Sequence, residues 1–146
     1  MPRYAFAHLL FAALALSACV GGGSSAEQGV RVFLSGVFDR PDSRLRVPSV
    51  AFAGDYAVAG WLQDGRGGRT LLKRSADGWE FVVCGGEELR TPAGLREAGL
   101  PFALVEPMAQ AVQASEASLP AHQRATLGDF NGLMKMDGAG HSPPKR

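Results

Sequence analysis

The sequence predicts an α+β fold: an N-terminal helix, a four-stranded antiparallel meander, and C-terminal helices packed on one face of the sheet. Three observations carry this prediction. Apolar residues recur at helical spacing over residues 27–39, strand-like segments joined by short turns follow over 45–84, and helix signals return after residue 90. Together these elements form a single domain over residues 29–134.

The first element is a helix over residues 27–39. Its apolar residues recur at helical spacing and share one face: Val30, Phe33, Leu34 and Val37. Arg40-Pro41-Asp42 ends the helix, because proline cannot continue it.

Four strands follow, with the first over residues 45–52, the second over 56–63 and the last over 79–84. The segment Asp64-Gly65-Arg66-Gly67-Gly68 lies between two strands, whereas a phosphate-binding glycine loop lies between a strand and a helix. We therefore interpret it as a hairpin loop rather than a phosphate site. The glycines leave room for Trp61 or Trp79, and Arg69 is expected to pair with a carboxylate such as Glu80.

Helices are expected beyond the sheet. Thr91 is placed to cap a short helix with Pro92 at its first position, and Gly99 is typical of a helix end. Apolar stripes predict further helices over 102–119 and 120–133. Residues 135–146 lack periodicity and are predicted to be a disordered tail.

The first residues have the pattern of an export signal. One positive charge precedes an apolar run over 5–18, which is shorter than the ~20 residues that span a bilayer. The run ends in Leu16-Ser17-Ala18-Cys19, which resembles the bacterial lipobox, in which the cysteine is lipidated. We predict a lipoprotein signal peptide over 1–18 and a flexible tether over 19–28; the alternative is ordinary signal cleavage of a secreted protein.

The charge balance argues against a nucleic-acid partner. The chain has 15 Lys and Arg against 14 Asp and Glu, and removal of residues 1–18 takes away Arg3 and leaves the two numbers equal. Binding to phosphate backbones needs a basic surplus. The expected location is the periplasm, with the protein anchored to the membrane by lipid at Cys19.

Cys84 is the other cysteine, so with Cys19 lipidated it has no intramolecular partner. Alternation along 79–84 predicts that Cys84 shares a face with Glu80 and Val82, opposite Phe81. We expect a buried thiol, since an exposed one would be prone to oxidation in an exported protein. An exposed thiol would be a candidate ligand for cuprous copper.

No nucleophile–base arrangement or catalytic motif is recognisable, and the protein is predicted not to be an enzyme. A different chemistry is indicated near the C-terminus, where Met134 and Met136 are followed by His141. Thioether and imidazole groups suit copper, and alternate residues of an extended chain lie on one side. The alternative is that both methionines complete the apolar stripe of the last helix.

Several segments, in order, resemble the bacterial copper uptake system-associated proteins: Leu45 to Val50, Gly54-Asp55-Tyr56-Ala57-Val58-Ala59-Gly60-Trp61, Gly67-Gly68-Arg69-Thr70-Leu71-Leu72, and Cys84-Gly85-Gly86-Glu87-Glu88-Leu89. The resemblance covers about residues 32–133. It implies a setting in copper uptake and, as partners, copper-uptake or copper-chaperone proteins of the cell envelope. Some members have a histidine-rich C-terminus, where this chain has His141 and two methionines.

The leading hypothesis is an exported, lipid-anchored, non-catalytic accessory protein that binds or hands over copper, with Met134, Met136, His141 and Cys84 as candidate ligands. The rival is a small-ligand or protein-binding module of the cystatin-like α+β roll type, with an apolar pocket between helices and sheet. An enzyme that uses such a pocket is a third hypothesis.

Overall fold

The computed structural model describes residues 24–136. The elements along the chain are α1 (Ser25–Phe38), β1 (Arg46–Ala53), β2 (Tyr56–Gln63), β3 (Arg66–Ser75), β4 (Gly78–Gly85), a 3₁₀ turn (Glu87–Arg90), α2 (Pro92–Glu97), α3 (Phe102–Glu116), α4 (Ala121–Leu127) and β5 (Met134–Lys135). The predicted α+β class is confirmed. Because α1 begins at Ser25, the last residues of the predicted 19–28 tether are helical.

The strands form one antiparallel sheet in the order β1-β2-β3-β4-β5, so the predicted meander has five strands rather than four. The predicted helix over 120–133 is wrong in its second half. α4 ends at Leu127, and Gly132 adopts a positive φ of 74°, which an L side chain rarely adopts. The chain then turns back and adds β5 to the edge of β4.

Helices lie on both faces of the sheet. The C-terminal helices α2 and α3 pack on one face, as predicted, and α1 covers the opposite face. In β2, Val58 packs with residues of α2 and α3, whereas its neighbours Ala57 and Ala59 pack with Val30 and Leu34 of α1. A strand buries alternate residues on opposite faces, so a strand that is apolar on both sides needs a layer on each.

The buried stripe of α1 is narrower than its sequence pattern indicates. Val30 and Leu34 are buried, but the Val37 side chain is 43% exposed. The rings of Phe33 and Phe38 instead pack on Phe81 of β4, with centroid distances of 5.0 and 5.6 Å. The Ser24 hydroxyl caps the first turn by accepting a hydrogen bond from the amide of Glu27.

The glycine-rich segment is a hairpin, as predicted. Asp64 and Gly65 link β2 to β3 and have positive φ values of 53° and 72°, as the two central residues of a tight hairpin turn require. At Gly68 a Cβ atom would lie 2.8 Å from the Trp61 ring. The glycine is therefore needed for close packing of the indole on the sheet.

Arg69 is buried and forms an ion pair with Glu116 of α3, not with Glu80 as predicted. Its Nε and Nη2 atoms donate to the two carboxylate oxygens of Glu116 at 2.7 and 2.8 Å. Its Nη1 atom donates to the carbonyls of Gly86 and Leu127. Glu80 lies opposite Lys73 in the β3–β4 ladder. One side chain thus joins β3, α3, the residue that follows β4 and the last residue of α4.

The short helix α2 begins as predicted, with the Thr91 hydroxyl accepting from the amide of Gly94 at 3.1 Å and Pro92 in its first turn. Within residues 24–136 no helix is long and apolar enough to cross a membrane.

Candidate functional site

The candidate site lies where β5 joins the edge of β4. Cys84 is paired with Met134, and Val83 with Lys135. Directly opposed residues of an antiparallel pair project to the same face, with Cβ atoms ~5 Å apart. The sheet therefore brings together a thiol and a thioether that are fifty positions apart in sequence.

Met136 belongs to the same group of sulfur side chains. Its amide donates to the carbonyl of Val82 at 3.1 Å, so the chain stays paired with β4 beyond β5. Its side chain packs against the cluster that α1 covers. Both predicted methionine ligands and Cys84 thus lie on one face of the sheet. We call Cys84, Met134 and Met136 the sulfur cluster.

The face occupied by Cys84 differs from the predicted one. A bulge at Val82 shifts the register of β4 against β3. Leu72 lies opposite Phe81 and the adjacent Leu71 lies opposite Val83, so Val82 has no residue opposite it. Phe81 and Cys84 consequently share the face covered by α1, although strict alternation would separate them.

Cys84 is buried, as expected, with 7% of its surface exposed. Burial raises the pKa of the thiol, and the polar contact of Sγ with the Thr70 hydroxyl, at 3.6 Å, offsets part of this increase. The thiol is therefore held in its protonated form at neutral pH, in which it reacts slowly. Binding of a metal ion would release this proton.

Met134 is the exposed member of the sulfur cluster, with 37% of its surface accessible. It lies on the edge strand, and Met136 is half-buried. Solvent exposure within the cluster thus decreases from the Met134 thioether at the sheet edge to the buried Cys84 thiol. A soft ion could reach Met134 first without movement of the sheet.

The loop before β5 is fixed by Glu88. One carboxylate oxygen accepts from the amide of Gly132 at 3.1 Å and the other from the amide of Gly86 at 3.2 Å. The pKa of Glu88 is lowered, first by a hydrogen bond from its own backbone amide. Burial, the next largest effect, raises this pKa, and the hydrogen bonds from Gly86 and Gly132 and the charge of Arg69 lower it further. This carboxylate therefore positions the loop that delivers Met134.

The donor set suits a soft ion better than a hard one. Among the described residues, no group of three or more His, Cys, Asp or Glu side chains is placed to hold a metal. Thiolate and thioether sulfur are ligands that select Cu(I). The residues of the sulfur cluster therefore fit a cuprous ion and do not fit magnesium or calcium.

Two of the predicted site residues cannot be placed. His141 and the lipidation residue Cys19, like the signal peptide and the tail after Met136, lie outside residues 24–136. The sequence did not predict the pairing of Cys84 with Met134. Asn131-Gly132, a turn signal just before Met134, could have indicated that the chain turns back as a strand.

Comparisons of this chain with protein-family models, with curated proteins and with solved structures find no match. Membership of the copper uptake system-associated family stays a prediction from the sequence motifs.

Proposed function

We propose that this chain is an exported, lipid-anchored accessory protein of copper uptake or homeostasis that binds cuprous copper without catalysis and hands it to a partner. The observation that carries the proposal is the pairing of Cys84 with Met134 on one face of the sheet, with Met136 beside them. The resemblance to copper uptake system-associated proteins supports the same setting.

The sulfur cluster offers two neutral thioethers and one thiol, which binds as a thiolate after losing its proton. Thioether ligands hold Cu(I) without adding charge, and an exposed one can be exchanged for a ligand of another protein. Met134, at the sheet edge, has the exposure that exchange requires. Copper-uptake or copper-chaperone proteins of the envelope are the proposed partners, and the periplasm the proposed location.

The rival hypothesis, an apolar ligand pocket between helices and sheet, is less well supported. Helices cover both faces of the sheet, and the side chains between the layers form two packed clusters.

The test is a Cu(I) titration under anaerobic reducing conditions, in competition with a chromophoric cuprous chelator. A chain that starts at Val20 leaves Cys84 as its only thiol. We expect one tightly bound ion, at least ~10-fold weaker binding for Cys84→Ser, and a similar loss for Met134→Leu combined with Met136→Leu, since each change removes soft ligands.

The matched control is Met108→Leu. Met108 is fully buried in α3 and belongs to the cluster on the opposite face of the sheet, so this variant makes the same chemical change away from the candidate ligands. A Leu-for-Met exchange in a core costs less than ~1.5 kcal/mol. Unchanged affinity in the double methionine variant, or equal losses in it and the control, would refute the assignment.

A further inference from the structure

A second site is suggested by a polar cavity of about 240 Å³ beside the β2–β3 hairpin. Its walls come from the chain around the start of β1, from the hairpin and from α4. They include Arg44, Arg46, Arg66 and His122, together with the carboxylate of Asp64. The cavity contains no residue of the sulfur cluster.

The cavity carries a local excess of positive charge. Its one carboxylate, Asp64, is already engaged, because Arg40 and Ser43 donate hydrogen bonds to its two oxygens. Arg44 lies 3.6 Å from Asp39. Among residues 24–136, neither Arg46 nor Arg66 forms an ion pair, and both side chains are exposed to solvent.

This concentration of guanidinium groups contrasts with the chain as a whole, in which basic and acidic residues nearly balance. Guanidinium groups bind carboxylate and phosphate through paired N–H donors in a fixed plane, and they keep their charge at every physiological pH. His122, on the exposed side of α4, adds an imidazole to the same wall.

We propose that this cavity binds a small soluble molecule that carries two or more oxyanion groups, phosphate or carboxylate. The volume of about 240 Å³ is far above the ~10–15 Å³ of accessible space that holds one water, so the cavity has room for more than one oxyanion group. Three guanidinium groups, two from the chain around the start of β1 and one from the hairpin, also favour a ligand with more than one anionic group.

The position of the cavity disfavours a lipid headgroup as the ligand. Gln63, in the cavity wall, donates from its side chain to the carbonyl of Phe38 at the C-terminal end of α1. Gly29, near the other end of α1, lies next to Trp79 at the β3–β4 turn. The 14-residue helix separates these ends by about 21 Å. A lipid at Cys19 would tether the end opposite the cavity.

The experiment measures binding of pyrophosphate, citrate and inorganic phosphate to the full chain in neutral detergent by isothermal titration calorimetry. We expect pyrophosphate or citrate to bind at one saturable site more tightly than inorganic phosphate. Arg46→Gln combined with Arg66→Gln should weaken this binding at least ~10-fold. Arg96→Gln, which changes an exposed arginine of α2 outside the cavity, should leave it unchanged.

Substitutions of exposed arginines rarely change stability much, so all variants should fold, and circular dichroism checks this. Absence of saturable binding at polyanion concentrations up to about 10 mM, ~10-fold above the dissociation constant of a weak 1 mM site, would overturn the proposal. Binding of the same affinity by the double variant would also overturn it.

Copper is absent from these titrations, so their outcome is independent of the sulfur cluster. Arginine-dependent binding to anionic vesicles without binding of free polyanions would identify a lipid surface instead and overturn the soluble-ligand assignment.

Discussion

Arg69 and Glu116 show how much of this fold depends on single polar side chains. Both are 1% exposed, and they meet through two hydrogen bonds across 47 positions of sequence. A buried charge is tolerated only when it is paired and hydrogen-bonded. Arg69 meets this condition through the Glu116 carboxylate and the carbonyls of Gly86 and Leu127.

Glu116→Gln should destabilise the protein by ~3–5 kcal/mol, because the substitution removes the buried counter-charge of Arg69 and leaves only the exposed Glu87 carboxylate, 3.5 Å away. Urea unfolding followed by tryptophan fluorescence measures the free energy of unfolding. Glu97→Gln is the matched control, since Glu97 is exposed on α2 and its loss should cost less than ~0.5 kcal/mol. A Glu116 variant as stable as this control would show that the ion pair contributes nothing.

At the scale of elements, β5 is the part of the sheet with the fewest contacts to hold it. It contains two residues, and the backbone pairing continues only through the amide of Met136. The Glu88 carboxylate supplies a further attachment through Gly132. Exposed backbone hydrogen bonds and few buried contacts characterise segments that open locally. β5 therefore combines a candidate metal ligand with the capacity to move.

Glu88→Gln should loosen β5 without unfolding the sheet. The native contacts hold the pKa of Glu88 below its usual range, first through the hydrogen bond from its own amide and then, against the effect of burial, through those from Gly86 and Gly132. A depressed native pKa means that the carboxylate stabilises the fold above its unfolded-state pKa. That stabilisation is lost as the pH falls through the native value. The wild-type protein should therefore lose protection of β5 in acid, and the variant should lack it already at neutral pH.

Amide hydrogen exchange at Gly132 and Met136 tests this expectation, because both amides donate hydrogen bonds in the folded protein. Glu106→Gln, on the exposed side of α3, serves as the control. If exchange at these two amides were the same in the Glu88 variant, the wild type and the control at neutral pH, Glu88 would have no part in holding the loop.

At the scale of the whole molecule, periodicity and turn residues were sufficient to predict the α+β class, the meander and the β2–β3 hairpin. These features depend on local spacing and on positive φ values at Asp64 and Gly65. Features set by tertiary contacts were not predictable in the same way. The bulge at Val82 moved Cys84 to the other face, and the packing of α1 on the face opposite the C-terminal helices was not indicated by local spacing. A strand as short as β5 has too few residues for a periodicity signal.

The candidate site was predictable in its residue types but not in its arrangement. Soft sulfur ligands could be recognised from Cys84, Met134 and Met136 as residue types. Their common face follows from the pairing of β5 with β4, which joins distant parts of the chain. The basic cavity was not predicted, because Arg46, Arg66 and His122 come from three separate elements.

The proposed orientation of the molecule at a membrane depends on Cys19. Only a thiol can accept the diacylglyceryl group as a thioether, so we expect Cys19→Ala to abolish lipidation and to leave the chain largely uncleaved at this position. Cys84→Ala is the matched control, because it removes the other thiol of the chain and should leave lipidation intact. Mass spectrometry of the membrane fraction measures both forms. Acylated protein in the Cys19 variant would refute the anchor, whereas loss of acylation in both variants would point to a defect of export or folding. With the anchor in place, the lipid would be attached on the N-terminal side of α1, whereas the cavity wall contacts Phe38 at the other end of this helix, which is about 21 Å long.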